Sequence, residues 1–227
     1  MKANSKKIFS NQDGVHANLE KTVRRHLAST FLKPVSEHTQ AAFDSAAAFV
    51  AAFGRPLILD SCCGVGDSSR ALARAFPSHT VIGVDKSASR ITRERAGDEP
   101  GNLLLLRADL NDFFRLAAKA GWQPERHYIL YPNPWPKSEH LKRRWHGAPV
   151  FRDIVALGGR LELRSNWRLY LEEFALALSL AGHEAALAAF EAAEPITPFE
   201  AKYKASGQPL WQLVAELGPV PAACGGS

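Results

Sequence analysis

Cysteine is scarce in this 227-residue chain: Cys62 and Cys63 are adjacent, and Cys224 lies far from them. With no Cys-x-x-Cys pair and no even set, neither a disulfide framework nor a cysteine-built metal site is expected, and no metal is assigned. A reducing cytoplasm is the expected location. Long apolar runs are also missing. The most apolar early segment, Ala41 to Gly54, contains Asp44 and falls short of the roughly 20 residues that a membrane span requires. Its Phe43, Ala47, Val50 and Phe53 recur at helical spacing instead. The first residues, up to Gly14, are polar and lack the apolar stretch of about 7–15 residues in a secretory signal, so neither export nor a membrane partner is expected. Internal repeats and low-complexity tracts are absent. Acidic residues are outnumbered 23 to 28 by lysine and arginine, for a formal charge of +5, a balance that suits a polyanionic partner without identifying one.

At 46% hydrophobic and 22% charged, the chain has the composition of a globular protein able to bury a core. Residues from about His16 to Phe53 read as helical, ending at Gly54-Arg55-Pro56. Short apolar runs follow at Pro56–Asp60, Thr80–Asp85 and Asn102–Asp109, each ending in aspartate, with helical lengths at Asp67–Phe76 and Ser87–Gly97 between them. This β-α-β-α-β order predicts parallel strands buried on both faces. A strand at Tyr128–Tyr131, a helix at Val150–Leu157, a strand at Arg160–Arg164, a helix at Trp167–Ala181 and strands at His183–Phe190 and Trp211–Leu217 continue the alternation. The expected fold is α/β: a Rossmann-like, doubly wound, mostly parallel seven-stranded sheet with helices on both faces and an N-terminal helical extension. Residues 1–54 form that arm and extension, 55–218 the α/β domain, and 219–227 a tail.

Asp60-Ser-Cys-Cys-Gly-Val-Gly66 falls where the first strand turns into the first helix of the sheet, and its glycines let backbone amides approach a ligand. A dinucleotide fingerprint would place a third glycine at position 69, which is Ser69, and Asp67 at the helix start would repel a pyrophosphate. A nicotinamide oxidoreductase is thereby disfavoured. S-adenosylmethionine, with a sulfonium and an ammonium but no phosphate, suits these acids better. Asp60-x-x-x-Gly64-x-Gly66 resembles the methyltransferase glycine motif, with Cys62 where another glycine is usual. Asp85, 25 residues after Asp60, is placed to accept the ribose hydroxyls, and Asp109 falls where such enzymes hold the adenine amine. The structural alternative is that these aspartates cap the following helices. The cysteines at 62 and 63 receive no chemistry.

After the fourth strand comes Tyr131-Pro-Asn-Pro-Trp-Pro-Lys137, followed by His140, Lys142, Arg143 and Arg144. Ligands bind outside the carboxyl ends of strands in such sheets, which places Asn133 and Trp135 beside the transferable methyl and a basic cluster at the pocket mouth, where phosphates would be received. The segment resembles the bacterial tRNA (guanine-N7)-methyltransferases, which carry Asp-Pro-Trp-Pro-Lys, then a His and a Lys-Arg-Arg run. Leu157-Gly158-Gly159, Ser165-Asn166-Trp167 with Tyr170, and Thr197-Pro-Phe199-Glu200 with Gly207 and Trp211 extend the likeness. The chain departs from the family pattern at Asn133 and Asn166, where the family has aspartates.

The resemblance implies an S-adenosylmethionine-dependent enzyme acting on tRNA or another RNA, as a monomer or weak homodimer. It implies Asp60, Gly64, Gly66, Asp85, Asp109 and Asn133 on the cofactor, with Asn133, Lys137 and Asn166 as the catalytic residues. Lys137, His140, Lys142, Arg143, Arg144, Asn166, Thr197, Phe199 and Glu200 would hold the substrate. Two alternatives stay open. Asn133-Pro-Trp also resembles the Asn-Pro-Pro-aromatic loop of enzymes that methylate exocyclic amines, and the paired Asp-to-Asn changes would suit a non-catalytic binder of RNA or adenosylmethionine. The tryptophans at 145, 167 and 211 are assigned to the core.

Overall fold

A computed structural model describes residues 5, 8–93 and 97–218. The expected tail at 219–227, with Cys224, and the last part of the helix expected to reach Gly97 lie outside the described residues. The sheet has seven strands: β1 (Leu57–Ser61), β2 (Thr80–Asp85), β3 (Leu103–Arg107), β4 (Arg126–Leu130), β5 (Gly159–Ser165), β6 (Ala186–Phe190) and β7 (Leu210–Leu217). Their spatial order is β3-β2-β1-β4-β5-β7-β6. Strands β1 to β5 pair in parallel, and β7 runs antiparallel to both β5 and β6.

The continuous apolar runs follow from burial on both faces. Leu57 and Leu59 of β1, Ile82 and Val84 of β2, and Ile129 of β4 pack into one core, while Ile58, Val81 and Tyr128, one residue out of step, pack into the other. Helices α1 (Leu19–Leu27), α2 (Glu37–Phe53), α5 (Leu110–Lys119), α6 (Phe151–Ala156) and α7 (Arg168–Leu180) contribute to the first core. Helix α3 (Asp67–Ala75) and the start of β7 contribute to the second. Among the described residues, no helix is long and apolar enough to cross a membrane.

Four elements differ from the sequence expectation. The helix expected from His16 to Phe53 is two helices, α1 and α2, and the stretch between them contains Pro34, whose ring lacks the N–H that a continuous helix needs. Gly54 ends α2 at φ +56°, as the Gly-Arg-Pro stop implied. The helix expected at Ser87–Gly97 is α4, only Ala88–Ile91 among the described residues. Helices α5 and α8 (Pro198–Ala205) occupy segments to which no element was assigned. Each has a readable start: Asp109 Oδ1 accepts from the Asn111 amide to cap α5, and Thr197 Oγ1 accepts from the Glu200 amide to cap α8, with Pro198 next in line.

Candidate active site

The first turn of the site is held by carboxylates. Ser68 and Ser69 each donate to Asp60 Oδ2 at 2.6 Å, while Asp60 Oδ1 is buried without a partner among the described residues. Burial pushes the Asp60 carboxyl up to about 6; the serine hydroxyls oppose the shift and Asp85 adds to it. Ser69 can reach inward because its neighbour on β2 is Gly83, where a Cβ would lie 2.3 Å from the Ser69 hydroxyl. Asp85 accepts from the Gly64 amide (3.1 Å) and the Ser87 amide (2.8 Å), and Arg90 of α4 lies 3.3 Å from it. Gly64 (φ +62°) and Gly66 (φ +82°) take the left-handed conformations this turn requires. Cys62, at φ +66°, adopts the same conformation with a side chain, a strain of order 1 kcal/mol that glycine would avoid. Its thiol is pushed up to about 12, by burial first and Asp85 second, so it stays protonated.

A cleft of about 280 Å³ opens on this turn, bordered by Cys62 to Val65, Ser68, Leu130, Arg90, Arg93 and, from the other side, Thr197 to Phe199. The turn therefore meets the start of α8, which brings Thr197 and the half-exposed Phe199 to the mouth. Asn133 and Trp135 do not border this cleft. Asn133 is exposed and folds back, its Oδ1 accepting from the Trp135 amide at 3.3 Å. Their loop is tightly bent, with Tyr131 at φ +51° and Trp135 at φ +45°. Tyr131 donates its hydroxyl to Glu200 (2.9 Å), which also accepts from Arg164 (2.9 Å) and the Ile196 amide (2.8 Å). Glu200 is fully buried. Its expected contact with a substrate base is thus corrected: three donors absorb the carboxylate, which ties the β4 loop to α8 and β5. Arg164, joined also to Glu162, is a participant the sequence did not reveal.

Arg144 requires the second correction. It is fully buried, because its guanidinium pairs with Glu173 of α7 and donates to the Trp135 carbonyl (3.1 Å), the Lys137 carbonyl and Gln12. An RNA phosphate cannot reach it. Glu173 also accepts from His146 (2.9 Å), Gln12 and the His16 amide (2.9 Å). Burial would raise this carboxyl, but His146 and Arg144 outweigh it and hold Glu173 at about 2. Ser10 donates to the Pro136 carbonyl (2.7 Å), and the Ser138 amide donates to Asn11 (2.9 Å), so residues 10–16 are fastened to the β4 loop. The other basic side chains remain outside: Lys137, Lys142 and Arg143 are exposed. Arg143 stacks on the Trp135 ring at 4.8 Å, and His140 meets its edge. Asn166 donates to Gln208 (2.8 Å), whose amide in turn donates to the Ser5 carbonyl (2.9 Å).

A family described as "Putative methyltransferase" matches residues 54–213, spanning both the carboxylate turn and α8. The tRNA (guanine-N(7)-)-methyltransferase of Saccharophagus degradans is 31% identical over 71% of this chain and 76% of its own length. That of Leifsonia xyli is 30% identical over 75% and 80%. The chain belongs to the tRNA (guanine-N7)-methyltransferase family. It is an S-adenosylmethionine-dependent methyltransferase, and its sheet shares the fold of solved methyltransferases. The 16S rRNA methyltransferase KamB aligns with a TM-score of 0.58 at 20% identity, covering 84% of this chain and 99% of its own. The 16S rRNA (adenine(1408)-N(1))-methyltransferase of Catenulisporales acidiphilia, solved with its cosubstrate, gives 0.57 at 19% identity, over 80% and 94%.

The turn fits this family's cofactor on physical grounds. A buried, partnerless Asp60 oxygen and an acid at the first residue of α3 suit a cation and oppose a pyrophosphate. The space beside Gly64 is open. No group of His, Cys, Asp and Glu that could hold a metal occurs among the described residues.

Proposed function

We propose that the chain transfers the methyl group of S-adenosylmethionine to N7 of a guanine in tRNA. The carrying observation is the meeting of the carboxylate turn with the start of α8 in one cleft, beside a β4 loop whose rim exposes Lys137, Lys142 and Arg143. The names and identities of the relatives support the same reading. Asp60, Gly64, Gly66, Asp85 and Asp109 are the residues that would hold the cofactor, and Arg90 must swing from Asp85 for its carboxylate to receive ribose hydroxyls. Asp109 caps α5 through Oδ1, leaving Oδ2 for an adenine amine.

S-adenosylmethionine supplies an electrophilic methyl on a sulfonium. Guanine N7 carries an exposed lone pair, so the chain needs no general base; its task is positioning and exclusion of water. Thr197 and Phe199 at the cleft mouth, with Lys137, His140 and Asn166, would orient the base. Lys142 and Arg143 would take flanking phosphates. Asn133, outside the cleft with its Oδ1 on the Trp135 amide, would act on the purine only once its loop moves, and the uncharged oxygens of Asn133 and Asn166 would then stabilise the developing cation less than carboxylates.

The test is transfer of labelled methyl from adenosylmethionine to tRNA lacking 7-methylguanosine, with the product nucleoside identified by mass. Labelled 7-methylguanosine is expected, and Asn133→Asp should raise the rate by restoring a negative charge near the substrate, while its carboxylate still accepts from the Trp135 amide. A methyl on an exocyclic amine would move the reading to the Asn-Pro-aromatic class. Cofactor binding with no labelled RNA would leave a binding protein.

A further inference from the structure

A second, larger cleft lies away from the cofactor turn, between the start of α1 and the 3₁₀ turn at Ser138–Arg143, with a volume of about 450 Å³. Its walls carry Lys21 and Arg25 from α1 and Lys142 from the 3₁₀ turn, against one acid, Glu139. None of these three cations has an acidic partner among the described residues. Lys21 and Arg25 are four residues apart and share one face of α1.

The walls are fastened to one another. Glu173 accepts from the His16 amide on one side and from Arg144, directly after the 3₁₀ turn, on the other. The amide of Ser138 donates to Asn11 across the gap. The cations therefore converge before any ligand arrives, which lowers the ordering cost of binding. Buried His26 records this: burial, then Arg25, then Lys142 hold it below its ordinary value, so both walls act on one point.

We infer that this cleft is a phosphodiester-binding site that grips the RNA backbone at a distance from the methylated base. An open cleft with a row of cations that have no acidic partner among the described residues suits a strand that passes through. Lys142 joins it to the rim of the candidate active site, where its neighbour Arg143 lies on Trp135. The inference rests on the reading that the substrate is RNA, and it adds Lys21 and Arg25 to a footprint otherwise drawn on the β4 loop alone.

The test measures tRNA binding by the full chain from 50 to 200 mM salt, using fluorescence anisotropy. Each phosphate neutralised contributes about 0.7–0.9 to the slope of log affinity against log salt. The double variant Lys21→Gln/Arg25→Gln should therefore lower the slope by about 1.4–1.8 in magnitude, shrinking the salt-induced loss of affinity about tenfold across that range. Adenosylmethionine affinity should be unchanged, and the charge-keeping variant Lys21→Arg/Arg25→Lys should retain the slope. An unchanged slope in the Gln variant, or an equal loss in the charge-keeping one, overturns the site, as does an unaltered chain whose RNA binding ignores salt. A reduced slope in a chain that places no methyl on guanine N7 supports the cleft while the proposed reaction falls.

Discussion

Replacing Arg144 by methionine separates two accounts of a basic run. If Arg144 were a phosphate ligand, Arg144→Met would weaken RNA binding and leave the fold intact. In the structure both Arg144 and Glu173 are 0% exposed, so the substitution strands a buried carboxylate. The size of the loss can be worked from that carboxylate. Glu173 lies at about 2 against an ordinary 4.5, held there against burial by His146 first and Arg144 second, so at 1.36 kcal/mol per unit the full difference of about 3 kcal/mol is shared between the two and Arg144 carries only part of it. Breaking a buried pair from one side costs about 3–5 kcal/mol in general. For a chain of this size, that lowers Tm by roughly 6–20 °C. A carboxyl held low stabilises the fold above its unfolded value and loses that contribution as acid protonates it between 4.5 and about 2. The deficit of Arg144→Met should accordingly be fullest at pH 7 and shrink towards pH 3. Urea unfolding followed by circular dichroism at both pH values measures it, with Lys142→Met, on the surface of the same run, expected within about 0.5 kcal/mol of the unaltered chain. Equal stability of Arg144→Met and the unaltered chain at pH 7, combined with a reduced salt slope for RNA, would refute the buried assignment.

Asp60→Asn should raise the melting temperature of the ligand-free protein at pH 8. A carboxyl raised to about 6 favours the fold below its unfolded value of 3.8 and loses that contribution as pH climbs through 6, leaving an ionised Asp60 as a cost. The same variant should weaken adenosylmethionine binding in calorimetry, and a lower melting temperature with unaltered affinity would contradict both halves. Gly159→Ala should destabilise far more than Gly64→Ala. Both glycines have positive φ, but a Cβ at 159 would lie 1.9 Å from the Pro124 carbonyl oxygen while one at 64 meets open space. Strain alone, about 1–2 kcal/mol, is expected at 64, and equal urea midpoints would show that the Pro124 contact yields.

Much of the sheet was legible because strands buried on both faces are written as unbroken apolar runs, and β1, β2 and β3 stand within two residues of where those runs lie. Helices α5 and α8 were hidden by competing meanings. Asp109 and Thr197 are cap residues, and in α5 the cap precedes Phe113, Phe114 and Ala117 at helical spacing; for Asp109 the cap is the structural alternative to a ligand role, whereas at Thr197 the ligand role hides it. Thr197-x-x-Glu200 has the form of a capping box, although the Glu200 carboxylate reaches the amide of Ile196, not of Thr197. The fate of Arg144 was not written in its own neighbourhood, since Lys142, Arg143 and Arg144 look alike in sequence. The signal lay on α7, where Glu173 sits among Tyr170, Phe174 and Ala177 on the face that packs into the core. A charge on a buried stripe demands a partner, and the partner is Arg144. At Asn166 the amide donates to the Gln208 oxygen, a contact that a carboxylate there would keep only if the Gln208 amide turned its NH2 inward.

The strand order sets a timetable for synthesis. Strand β7 is made after β6 yet lies between β6 and β5, so β6 has no place in the sheet until residues 210–217 exist. At about 5–20 residues per second, the stretch from 191 to 209 takes on the order of one to four seconds to translate. Throughout that interval the growing chain carries β5, with Leu161 and Leu163 destined for the core, as an open edge able to pair with another nascent chain. The parallel half of the sheet, with its carboxylate turn, can form early. The β5 edge is where a chaperone would have to wait.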